Sequence, residues 1–230
     1  MSVVDFLNTS KPVKEAIAGY FKDPSGTGDK TGTSQANSGE ALTITKDNMS
    51  QLKEELEKSI SQVKNFDKLK EQVEMTITAE GLRIELLETE RATFFDSGSS
   101  HPTDNGQKLL ETLAEELGKL ANKISIEGHT DAQPYTKTRD YGNWELSSDR
   151  ANAARRLMQR NGLGEAQVSQ VRGYADQKLR VAGNPLDPSN RRISVIVHYI
   201  EKKGDEDSTE QPSEHKEEAK PAEGAEEKHH

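Results

Sequence analysis

Three observations predict an α+β domain, with helices packed on one face of a mixed sheet. Short alternating runs at 73–78, 82–87, 123–127, 168–172 and 192–199 carry the period of strands. Stretches 104–120 and 147–161 carry apolar residues at helical spacing instead. Their order gives a βαβαβ core, preceded by a polar stretch with the pattern of a long helix.

Taken in order, 9–22 reads as a short helix within an N-terminal segment 1–22. Ser10 and Pro12 suit its start, and Val13, Ile17, Tyr20 and Phe21 share one face. So short a helix is marginal alone, which leaves a frayed end or a segment that docks on a partner or membrane surface. Residues 23–48 read as a flexible linker, with Gly26, Gly28, Gly32 and Gly39 among small polar residues. Residues 49–72 read as a long polar helix with a thin stripe of Leu52, Leu56, Val63 and Phe66. That stripe either packs on its own domain or forms a homodimer seam.

The compact domain is expected over 73–200. Runs 73–78 and 82–87 form a hairpin around Ala79-Glu80-Gly81. Thr103 or Asp104 caps a helix with a stripe of Leu109, Leu110, Leu113, Leu117 and Leu120. Lys123–Glu127 follows as a strand, and a crossover of this kind normally makes the two flanking strands parallel. The next helix is expected from a Ser147 cap to Asn161, with Gly162 ending it. Ile193, Val195 and Val197 face inward on the last strand. Residues 201–230 hold eleven acids, five lysines and no large apolar residue, so a disordered tail is expected.

Composition narrows the function. The chain is 31% hydrophobic and 31% charged, with net charge −9. That balance argues against general nucleic-acid backbone binding. No cysteine is present, which excludes thiol chemistry and disulfides. No run of 18 apolar residues spans a membrane, and no signal peptide is evident.

The chemistry concentrates in 124–156, where Asp131 follows a strand and Arg150 falls in the first turn of the expected helix. Arginine there opposes the helix dipole, at a cost of about 0.3–1 kcal/mol. Its planar fork matches a carboxylate, and Asp131 can receive an ammonium. The two either clamp a zwitterionic group or pair with each other, or Asp131 caps a turn. Glu127, His129 and Asp131 alternate, but one histidine without cysteine makes a poor zinc site. No G-x-S-x-G elbow supports a hydrolase. No cofactor, metal or catalytic residue is therefore expected. Trp144 either stacks on a sugar face or packs over the preceding loop.

G-H-T-D at 128–131, L-S-S-D-R-A-N-A at 146–153 and N-R-R-I at 190–193 resemble the OmpA-like peptidoglycan-binding family. Y-G-N-W-E-L-S at 141–147 and A-G-Y-F-K-D-P at 18–24 resemble its flagellar-motor stator members. The resemblance implies a non-enzymatic anchor of the stator in the cell wall, and so roles in motility and chemotaxis. Asp131 would take the ammonium of diaminopimelate in the peptide stem, and Arg150 its carboxylate. Thr130, Leu146, Asn190, Arg191 and Arg192 would line the pocket, with alternation placing the two arginines on opposite sides. The implied partners are a MotA-type stator subunit, a basal-body ring and a second copy of the chain. Residues 1–22 would regulate the stator ion channel. The implied location is periplasmic, as a fragment of an inner-membrane-anchored protein. An OmpA-like wall tether linked to the outer membrane, outside the motor, is the alternative. At 173–175 the chain has G-Y-A where many family members have G-x-G.

Overall fold

The computed structural model describes residues 41–63, 66–91, 93–135 and 140–200. The expected segment 1–22, most of the linker and the 201–230 tail lie outside the described residues.

The five strands are β1 (Val73–Ile77), β2 (Gly81–Leu87), β3 (Ile124–His129), β4 (Val168–Gly173) and β5 (Arg192–His198). The α-helices are α1 (Met49–Ser61), the short α2 (Phe66–Leu69), α3 (Asp104–Leu117) and α4 (Asn143–Arg160). Strand order is β1-β2-β5-β3-β4, with β3–β4 parallel and the other pairs antiparallel. The fold is thus the expected α+β mixed sheet. The chain places β5 between β2 and β3, so those two run the same way without pairing. The adjacent parallel pair is instead β3–α4–β4.

One sheet face carries Leu82, Ile84, Leu86, Ile124, Ile126, Ile193, Val195 and Val197, all buried beneath the helices. Register aligns them across strands, for example Ile84 with Val195 and Val195 with Ile126. Each such aliphatic side chain contributes about 1.5–3 kcal/mol of burial. Thr103 caps α3 by accepting from Gly106 N; α3 buries Leu109, Leu110, Leu113 and Leu117 of the expected stripe, and Leu120, just past its end, is buried too.

The domain begins earlier than 73. Leu42 bridges to Leu120, and Ile44 is fully buried. Asn122 secures this strap: its Oδ1 accepts from Ile44 N at 2.9 Å, and its Nδ2 donates to Ile44 O and His198 O at 2.7 Å each. The expected helix over 49–72 ends at Ser61. Met49, Leu52, Leu56 and Ile60 recur every three or four residues and join the domain's own core. The stripe therefore packs within the chain.

The opposite sheet face is polar. Glu127 on β3 accepts from Arg83 at 2.9 Å and Arg172 at 3.3 Å. Glu85 pairs with Arg192 at 2.9 Å and Arg180 at 3.3 Å. His129 ends β3 on this face and stacks on Tyr174, with centroids 5.2 Å apart. Its Nε2 stands 3.7 Å from Glu127 Oε2, ion-pair reach but longer than a hydrogen bond. Burial works against ionisation of Glu127, and the His129 ring and Arg83 guanidinium outweigh it, holding the pKa at about 2 rather than 4.5. Ionised Glu127 thus contributes stability above about pH 4.5, lost as pH falls through about 2. The expected size is about 3 kcal/mol. Urea unfolding of wild type should weaken across that window, and Glu127→Gln should flatten the curve there. Parallel curves for the two proteins would remove this role from Glu127.

Candidate functional site

The site forms where β3, α4 and the segment before β5 converge. Gly128 lets this happen: a Cβ there would sit 2.0 Å from Ser147 O, so the strand and α4 could not approach so closely. The close partner is thus the helix, not a ligand.

Helix α4 starts at Asn143, four residues before the expected Ser147 cap. Glu145 closes its first turn, with Gly142 N donating to Glu145 Oε2 at 2.8 Å. Arg150 therefore sits past the second turn, where it no longer opposes the dipole at the helix end. Ser147 is buried instead, and its Oγ accepts from Ala175 N at 3.0 Å. Ala175 has φ +47, the left-handed region where glycine is easier. Ala175 holds that conformation while its carbonyl accepts from Thr130 N at 2.9 Å.

Beyond this frame lies a cavity of about 320 Å³, whose lining includes Glu88, Phe95, Thr130, Asp131, Leu146, Arg150 and Arg191. Asp131 and Arg150 share it without pairing with each other. Arg191 Nη1 donates to Asp131 Oδ2 at 2.6 Å, and its Nε donates to Glu88 Oε2 at 2.7 Å. Gln133 N donates to Asp131 Oδ1 at 3.2 Å. Arg150 is only 4% exposed. It donates from Nε to Ser99 O at 2.8 Å and from Nη2 to Asp96 O at 3.4 Å, and lies 5.2 Å over the Phe95 ring. Among the described residues no carboxylate comes within ion-pair distance of it. Burial pulls its pKa below the usual arginine range, partly countered by the charge of Glu88. For Arg191 burial also opposes the charge, but the bonds to Glu88 and Asp131 outweigh it and raise the pKa. Thr130 Oγ1 is buried without a hydrogen-bond partner among the described residues.

Five of the expected pocket residues, Thr130, Asp131, Leu146, Arg150 and Arg191, therefore meet in one cavity. Asn190 and Arg192 do not line it. Asn190 is buried and holds the loop, accepting from Val181 N at 2.8 Å and donating to Asn184 O at 3.0 Å. Arg192 begins β5 on the polar face, bound to Glu85 and to Lys178 O. Strand alternation separates it from Arg191. Glu88 escaped the sequence reading because it stands just past β2, distant in the chain from the other cavity residues. The one available signal was an acid directly after the apolar pair Leu86 and Leu87.

Asp131, Glu88, Arg150 and Arg191 carry no net charge together, and Arg191 is the link between the two acids. Glu88→Gln should leave that guanidinium one carboxylate short and cost about 1–3 kcal/mol of stability, read by urea unfolding. An unchanged midpoint would show that the link carries no load.

Residues 94–206 match the OmpA family. The putative truncated flagellar export/assembly protein LafU of Escherichia coli K12 is 39% identical over 143 residues, covering 62% of this chain and 67% of that protein. Motility protein B of the same strain is 35% identical over 147 residues, 64% of this chain and 48% of that protein. The chain thus spans about half the length of that relative. Two solved structures share the fold. One is a putative MotB-like protein from Desulfovibrio vulgaris, with TM-score 0.54 and 18% identity, covering 67% of this chain and 96% of that one. The other is the cell wall anchor of the T6SS from Pseudomonas aeruginosa, with TM-score 0.52 and 22% identity, covering 63% and 97%.

Proposed function

The chain belongs to the OmpA family, among the relatives of Motility protein B, and on that premise we propose that its domain binds the peptide stem of peptidoglycan without cleaving it. The observation that carries this reading is Arg150: a buried guanidinium spent on two carbonyls, with no acid in ion-pair reach among the described residues, opening onto a cavity that Asp131 also lines. A ligand carboxylate supplies the missing partner through charge-assisted hydrogen bonds. Asp131 accepts the ligand's ammonium, since a carboxylate already bound by Arg191 and Gln133 N keeps further acceptor capacity. Thr130 Oγ1 offers a third polar contact, and Leu146 an apolar wall. The two ends of diaminopimelate, an amino acid centre within the stem, fit this pairing of charges.

In this reading the domain anchors a flagellar motor stator to the cell wall from the periplasmic side. A MotA-type subunit, a basal-body ring and a second copy of the chain are its partners. Residues 1–22 regulate the ion channel. Among the described residues no helix is long and apolar enough to cross a membrane. The likeness to a cell wall anchor of another machine supports a second reading, a wall tether outside the motor. A membrane helix with an embedded aspartate encoded upstream favours the stator, and a lipid-attachment signal or β-barrel favours the tether.

Cosedimentation with purified sacculi tests the shared claim. Wild type should pellet with sacculi and release no soluble muropeptides. Release of muropeptides, or no pelleting, would contradict it.

A further inference from the structure

On the peptide-stem reading, we propose that Tyr135 is a positioning residue for the same site: it grips the turn at 96–99 and so holds the Arg150 fork at the angle a ligand carboxylate needs. Tyr135 and Gly98 both line the cavity. The tyrosine hydroxyl donates to Gly98 O at 2.5 Å, joining the loop after β3 to the turn before α3. Glycine at 98 serves this contact in two ways. Its φ is +60, and a Cβ there would stand 2.7 Å from Tyr135 Cε2.

The gripped turn carries both carbonyls that engage Arg150. Ser99 O accepts from Nε and Asp96 O from Nη2. Asp96 O also accepts from Ser99 N at 3.0 Å, so the two acceptors belong to one closed turn. With the Phe95 ring 5.2 Å from the guanidinium carbon, both the plane and the rotation of the fork are set. A guanidinium carries N–H donors on every nitrogen. The turn takes the Nε side, which leaves Nη1 and the second Nη2 proton for a bidentate carboxylate.

Tyr135 is itself braced from the helix that bears Arg150. Its ring meets Tyr141 edge-on, with centroids 6.0 Å apart, and Tyr141 Oη donates to Asp149 Oδ2 at 2.7 Å. Asn143, also on α4, donates from Nδ2 to Gln133 O at 3.0 Å. The contacts close a circuit: α4 holds Tyr135, Tyr135 holds the turn, and the turn holds Arg150 of α4. A fork fixed before the ligand arrives lowers the ordering cost of binding.

Tyr135→Phe keeps the ring and removes only the hydroxyl bond. In the full chain without ligand, the Arg150 Nε–H NMR signal is identified by its loss in Arg150→Lys. It should exchange with solvent roughly 3- to 10-fold faster in Tyr135→Phe. A diaminopimelate-containing tripeptide should bind Tyr135→Phe more weakly by a similar factor. In Arg150→Lys, whose ammonium has no fork to orient, adding Tyr135→Phe should change binding by less than about twofold. Unchanged Nε–H exchange, or unchanged peptide binding by Tyr135→Phe, would overturn the positioning role. So would equal weakening in both backgrounds, because the hydroxyl would then act on the ligand directly. Failure of wild type to bind the tripeptide would overturn the stem reading, and the positioning role with it.

Discussion

Arg150→Ala is expected to abolish measurable binding of a diaminopimelate-containing tripeptide while the domain stays folded. The two effects separate because the side chain plays unequal parts in them. In the free protein Arg150 is a buried cation with two carbonyl acceptors and a ring beneath it. Losing those contacts costs stability, but losing the desolvated charge returns some of it. The net change should stay within about 2 kcal/mol. In the complex the same removal strands a buried ligand carboxylate, at about 2–5 kcal/mol, or roughly 30-fold to a few thousand-fold in Kd. Arg150→Lys keeps the charge without the planar fork, so it should fall between wild type and alanine. Calorimetric titration with urea unfolding on the same samples checks both halves. Tight binding by the alanine variant would remove Arg150 from recognition.

Asp131→Asn is expected to weaken the same peptide by roughly 10- to 100-fold, the equivalent of about 1.5–3 kcal/mol for a hydrogen bond to a charged group. The amide keeps an oxygen for Gln133 N, so the turn after β3 should survive. What it loses is the charge that faces both Arg191 and the ligand's ammonium. A peptide acetylated on that amine separates these roles. It should bind wild type and Asp131→Asn equally weakly if the ammonium contact is the one that matters. A persistent gap between the proteins would instead assign the effect to a shifted Arg191.

The alternating runs located all five strands because inward residues such as Ile193, Val195 and Val197 repeat every second position. Helix α3 was legible through its leucines and the Thr103 cap. The start of α4 was not, because the cap is Gly142 with Glu145 folding back, and Ser147 merely looked like a cap. The N-terminal edge was missed because Leu42 and Ile44 sit in a polar stretch, and their anchor, Asn122, is 78 residues further on. At the site, sequence reading brought Asp131 and Arg150 together but left Arg191 and Arg192 equivalent. Only the register of β5 sends Arg191 to Asp131 and Arg192 to Glu85. Glu88 reaches the site through a fold contact 103 residues long, which no local pattern encodes.

One cavity should read the two charged ends of a single amino acid centre. A crystal structure of the domain with a diaminopimelate-containing tripeptide tests it most directly. The ligand carboxylate should lie on the Arg150 guanidinium and the ligand ammonium on Asp131. A peptide bound outside the cavity, or bound with its charged ends away from these two residues, would contradict it.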